Sequence, residues 1–168
     1  GKDEEAKRFL AMLYREGPPR AAAYEMAANL LLDQGRPDLV EGIYREGLGR
    51  LGRADQHGRL RLLRRLFEFY NLIDAPVKLL RVLAAESAAF QDPSLREELL
   101  REGELFLADA QAPAELLPLA DSLAASPAGA RLSPILRQIY LAVGDHDRFA
   151  DQALRTPLPA PDRAHWLY

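Results

Sequence analysis

Apolar residues along this chain recur three and four apart, and the recurrence is interrupted by short breaks that share one grammar. Gly35-Arg36-Pro37, Asp74-Ala75-Pro76 and Gln111-Ala112-Pro113 each follow an apolar run and put a proline where the next run begins. Proline suits the first turn of a helix, where its missing N–H would have no intrahelical partner. Gly144-Asp145-His146 takes the same place without the proline. The breaks are 39, 37 and 33 residues apart, close to the length of one helix–turn–helix repeat.

The register around the breaks repeats as well. Four residues before each stand Leu31, Tyr70, Leu107 and Tyr140, and four before those stand Ala27, Leu66, Gly103 and Leu136. Five residues after each stand Val40, Leu79, Leu116 and Phe149, followed four later by Tyr44, Leu83, Ala120 and Ala153. Spacing of i, i+4 makes one stripe on a helix, so each break separates two amphipathic helices whose stripes face a common core. The pattern predicts helices over 3–16, 20–34, 37–49, 58–73, 76–90, 94–110, 113–125, 131–143 and 146–155, with another starting at 162. Ser94-Leu95-Arg96-Glu97 reads as a capping box, and Ser133 sets an oxygen acceptor ahead of Pro134. Gly47, Gly49 and Gly52 read as a frayed helix end and turn. Short loops force neighbouring helices antiparallel, and stacked pairs bury a core that one pair could not.

These residues resemble the tetratricopeptide repeat. Ala21–Gly52 carries Tyr24, Ala27, Ala28 and Leu31 on a first helix, Gly35 at the turn, then Val40 and Tyr44. Ala130–Pro161 is similar, with Tyr140, Gly144, Phe149, Ala153 and a closing Pro161. The opening, with Ala6, Leu10, Leu13 and Pro18, resembles a second helix, and Asp162–Tyr168 the start of a further first helix, so both ends point to a longer parent. The two middle repeats depart from the pattern, with Glu86 and Leu123 where the family keeps a small residue. The resemblance implies an all-α, right-handed superhelical solenoid divided at 1–18, 19–52, 53–93, 94–129, 130–161 and 162–168. It also implies a concave groove lined by the first helix of each repeat, here Glu25, Asn29 and Asp33, then Arg61, Arg64, Glu68 and Asn71, then Arg101. The expected partner is another protein, held without catalysis. The sequence also resembles the repeat regions of bacterial envelope proteins that export exopolysaccharide, which implies a periplasmic setting, with the cytoplasm as the alternative.

Composition narrows the field further. With 48% hydrophobic and 28% charged residues the chain is globular, and Leu, Ala, Arg and Glu dominate, which favours helix. It has no cysteine, so thiolate nucleophiles, disulfides and Cys-ligated zinc are excluded. No run approaches the ~20 apolar residues of a membrane-spanning helix. The start, Gly1-Lys2-Asp3-Glu4-Glu5, has no apolar signal core.

Candidate chemistry is sparse. His57, His146 and His165 stand far apart, with no second ligand at metal-binding spacing, so neither a metal nor another cofactor is expected. The acidic pairs Glu97-Glu98 and Glu102 with Glu104 read as a solvated face. There is no glycine-rich phosphate loop and no Gly-x-Ser-x-Gly elbow. The densest charged feature is Arg50, Arg53, Arg59, Arg61, Arg64 and Arg65, broken only by Asp55. It supports a competing reading as a polyanion or RNA surface. The net charge of −3 weighs against nucleic acid as a partner. A spacer that binds nothing is the third reading.

Overall fold

The structure, a computed structural model, describes residues 11, 20–108 and 113–155. The described residues form eight α-helices and no strand. These are α1 (Ala21–Asp33), α2 (Pro37–Leu51), α3 (Gln56–Leu72), α4 (Pro76–Ser87), α5 (Pro93–Ala108), α6 (Leu117–Ala124, preceded by a 3-10 turn over Pro113–Leu116), α7 (Ser133–Ala142) and α8 (His146–Arg155). The fold is therefore all-α. The expected helices over 3–16 and from 162, with Pro18 and His165, lie outside the described residues, although Ala11 itself is helical.

The breaks act as the pattern requires. Gly35, Asp74 and Gly144 all take the left-handed conformation, with φ of 69°, 49° and 76°. At two of them the chain closes with the same bonds. The N–H of Arg36 donates to the Leu31 carbonyl and that of Asp145 to Tyr140, both at 2.8 Å, while Gly35 and Gly144 donate to Leu32 and Leu141. This left-handed closure satisfies carbonyls that the helix end would leave open, and glycine adopts it at no steric cost.

Residues 20–73 and 89–99 belong to one compact unit, and residues 74–88, 100–108 and 113–155 to a second. In the first, α1 packs on α2, α2 on α3, and α1 on α3. In the second, α7 packs on α8, α6 on α7, and α4 on α6. Fourteen of the sixteen stripe positions are buried; the exceptions are Phe149 and Ala153 on α8, which are half-buried. Each large apolar side chain taken fully out of water contributes roughly 1.5–3 kcal/mol before entropy is counted, so this shared register outweighs any single cap or ion pair.

Four local expectations are corrected. The helix over 113–125 is a 3-10 turn followed by a shorter α-helix, because Pro118 offers no N–H to the carbonyl four residues back and its ring crowds it. Asp92, rather than Ser94, caps α5. Its Oδ1 accepts from the Ser94 N–H at 2.8 Å, with Pro93 as the first helical residue. Ser133 is the first residue of α7 instead of its cap, and its buried Oγ has no hydrogen-bond partner. Gly47 and Gly49 lie inside α2, and only Gly52 (φ 65°) ends it. Gly47 is a close-packing position, since a Cβ there would stand 2.7 Å from both the Tyr24 ring and the Leu62 side chain. Gly103 does the same in the second unit, where a Cβ would collide with Leu83.

The expectations for α3 and α4 also shift at one end. Asp55, the one acid in the basic run, accepts from the Gly58 N–H at 2.8 Å and starts α3 at Gln56. Helix α4 stops at Ser87, and Phe90 beyond it is buried, with Arg96 donating to its carbonyl at 2.6 Å.

Candidate functional site

The residues expected to line a groove fall on α1 and α3 of the first unit and on α5. Those on α1 follow its buried stripe of Tyr24, Ala27, Ala28 and Leu31, and the α3 group follows Leu63, Leu66, Phe67 and Tyr70. The packing of α1 on α3 then brings Glu25 to Arg61. The guanidinium grips the carboxylate with both forks, Nε to Oε1 at 2.6 Å and Nη2 to Oε2 at 2.5 Å. Arg65 stands 3.8 Å from the same carboxylate and donates to Glu68 at 2.7 Å. Glu25, expected at the groove surface, is only 7% exposed. It is therefore a buried anchor between two helices, and the hydrogen bond it accepts holds Arg61 more firmly in its charged form.

Arg64 pairs with Glu98 of α5, an acid expected on a solvated face. Asn29 and Asp33 on α1 and Asn71 on α3 are exposed, and no described residue engages their side chains. Met26, 58% exposed on α1, and Leu72, 72% exposed at the end of α3, are surface residues of this unit that the groove projection misses. Both fall off the buried stripe, so helical periodicity carries the signal for their exposure. Arg101 belongs to the second unit, where it is exposed.

The basic run is largely compensated within the unit. Arg50 donates to Glu46 at 3.1 Å, Arg61 to Glu25, Arg64 to Glu98 and Arg65 to Glu68. Arg59 is buried and donates to the backbone carbonyls of Leu48 at 2.6 Å and Gly52 at 3.2 Å. Among the described residues Arg53 alone of the six has no acid or carbonyl against it. A polyanion surface draws its affinity from cations that release counterions, and those engaged by fixed acids release few.

The second unit carries its own polar cluster. Tyr140 donates to Asp121 at 3.2 Å, and Arg148 joins Asp121 at 3.1 Å to Asp145 at 2.5 Å. The backbone N–H and the guanidinium of Arg148 hold the Asp145 carboxyl below the usual carboxylate range. Burial pushes the hydroxyls of Tyr44, Tyr70 and Tyr140 up to about 12, so at neutral pH all three are neutral. His57 and His146 are exposed, and no group of three or more His, Cys, Asp or Glu with metal-binding geometry exists among the described residues. No described helix is long and apolar enough to cross a membrane.

Comparison with protein-family models, with curated proteins and with solved structures finds no match to this chain. The class that fold and site define together is an all-α protein built from helix pairs of one repeating register.

Proposed function

We propose that this chain is a tetratricopeptide-like helical array, a right-handed solenoid, that acts as a non-catalytic scaffold holding another protein. The observation that carries the reading is the repetition itself: equivalent positions are buried from one helix pair to the next, while polar side chains of α1 and α3 stay open. Stacked repeats of this kind offer an extended surface and no chemistry of their own. The open groups are Asn29, Asp33 and Asn71, with Met26 on α1 as an apolar contact. Glu25, Arg61 and Arg65 shape the surface from below by fixing α1 against α3. Arg101 is the corresponding open cation of the second unit. The partner is a protein segment with amide and charged groups of its own. Internal pairing of the arginine run favours this over the polyanion reading. The resemblance to exopolysaccharide-export proteins makes an envelope assembly the setting to search first.

Affinity capture tests the proposal, with the wild type beside an Asn29→Ala/Asp33→Ala/Asn71→Ala variant at low and high salt. The scaffold reading expects a discrete protein retained by the wild type at both salts and reduced about tenfold or more in the variant, equivalent to roughly 1.4 kcal/mol. Recovery of nucleic acid or polyanion, released by salt, sinks it in favour of the basic run. Equal capture by both proteins sinks the assignment of this face.

A further inference from the structure

At the register where α2 and α4 bury Ile43 and Val82, α8 buries an amide, Gln152, which is only 4% exposed. Its Nε2 donates to the Gly129 carbonyl at 3.1 Å, while its Oε1 accepts no hydrogen bond from a described residue. Gln152 lines a cleft of about 250 Å³ in the second unit, walled by α6 and α8 and reached by Tyr140 of α7. A pocket for a drug-sized ligand holds roughly 300–1,000 Å³, so this cleft has room for a single side chain.

The charges around the cleft are unevenly matched. Arg148 stands between Asp121 at 3.1 Å and Asp145 at 2.5 Å, so an acid outside the cleft already answers its charge. Arg155 lies in the last turn of α8, where a cation faces the negative end of its own helix. Asp121 meets both the Tyr140 hydroxyl and Arg148 through Oδ1, and no described residue donates a hydrogen bond to its Oδ2. Asp151 is exposed and has no ion pair or hydrogen bond with a described residue. Ala124 and Ala125 bring the C-terminal end of α6 into the wall, and with it further partial negative charge. Two carboxylates, a buried amide oxygen and a helix end thus converge with no donor to meet them.

A cation carrying several N–H groups completes this set. Guanidinium presents five of them in a flat fork and can reach acceptors on both helices at once, whereas an ammonium is a compact point charge. We propose that the cleft binds the guanidinium of an arginine side chain presented by a protein partner. The chemistry of the site rests on the cleft itself. The source of the side chain rests on the scaffold reading, in a different unit from Asn29, Asp33 and Asn71.

Amide chemical shifts of the isotope-labelled full chain, followed at low salt while N-acetylarginine methylamide is added, test this. The expected result is a saturable shift confined to α8 and the end of α6, at Ala124, Ala125, Asp151 and Gln152. Asp151→Asn should weaken binding about tenfold, as the loss of a charge-assisted hydrogen bond does. Asp147→Asn, on an exposed acid of the same helix outside the cleft, should leave it unchanged. Arg155→Gln, which removes a like charge from the rim, should tighten it by about two- to fivefold. These side chains are exposed, so helix content by circular dichroism should stay constant. The neutral N-acetylcitrulline methylamide, close to arginine in shape, should move nothing. No saturable shift, shifts elsewhere, or unchanged affinity in Asp151→Asn overturns the proposal. So does equal binding of the citrulline probe or of N-acetyllysine methylamide. Tighter binding of free arginine than of the blocked residue overturns the side chain as the source, because the α-ammonium and carboxylate would then be recognised too. Partner capture through Asn29, Asp33 and Asn71 is read separately, so failure of either proposal is distinguishable from failure of the other.

Discussion

Helices α2 and α8 occupy the same place in the repeat and meet different fates. In α2 the stripe residues Val40 and Tyr44 are sealed by helices on both sides, and a glycine lets the neighbouring side chains close in. In α8 the matching Phe149 and Ala153 are half-open, and an amide does the inward work. The difference teaches that in a repeated architecture the same spacing specifies a helix everywhere, while the energetic value of each position depends on its neighbours.

The sharpest test of that contrast is truncation at equivalent positions. Leu79→Ala should cost about 2–5 kcal/mol in urea denaturation, because the side chain is fully buried. Phe149→Ala, though a larger deletion, should cost less than half as much. Equal losses would mean that the α8 position is as enclosed as the others. A smaller effect separates two glycines of α2. Gly47→Leu should destabilise by about 1–3 kcal/mol through overpacking against Tyr24 and Leu62. Gly49→Ala, with nothing within 4 Å, should stabilise by about 0.5–1 kcal/mol through helix propensity.

The smallest expected effect at neutral pH is that of titration. Tyr44, Tyr70 and Tyr140 have folded-state values raised to about 12 from 10.0. The neutral form is the one the fold favours, so this stabilisation is complete below pH 10 and is lost as pH climbs from 10 towards 12. Thermal melts should hold steady through neutral pH and fall across that window, with tyrosinate absorbance rising late. Early ionisation of these groups would show that their burial is incomplete.

Much of the fold is legible because a proline or a left-handed residue punctuates it at every break, and a stripe of period 3.6 runs on from there. The corrected positions share a cause. Ser94 and Gly47 mislead when read from the residues beside them, because Asp92 and Pro93 decide the cap, and Tyr24 and Leu62, from two other helices, decide the glycine. The groove projection misjudges Glu25, because its partner Arg61 lies 36 residues away and no local pattern announces the pair. Gln152 is invisible for the same reason: only the fold brings its amide to Gly129. The open side chains Asn29, Asp33 and Asn71 are readable from periodicity, since no described side chain engages them as Arg61 engages Glu25.

Arg59 carries a consequence for how the first unit assembles. Its guanidinium, rooted in α3, satisfies carbonyls at the closing turn of α2, a cation set at the negative end of that helix. The two termini are therefore joined: the last turn of α2 is completed by α3, and α3 buries a charge that carbonyls at the end of α2 accept. The junction should open and close as one cooperative unit. Amide protons at the end of α2 and the start of α3 should then exchange with solvent at a common rate, slower than either helix would show alone.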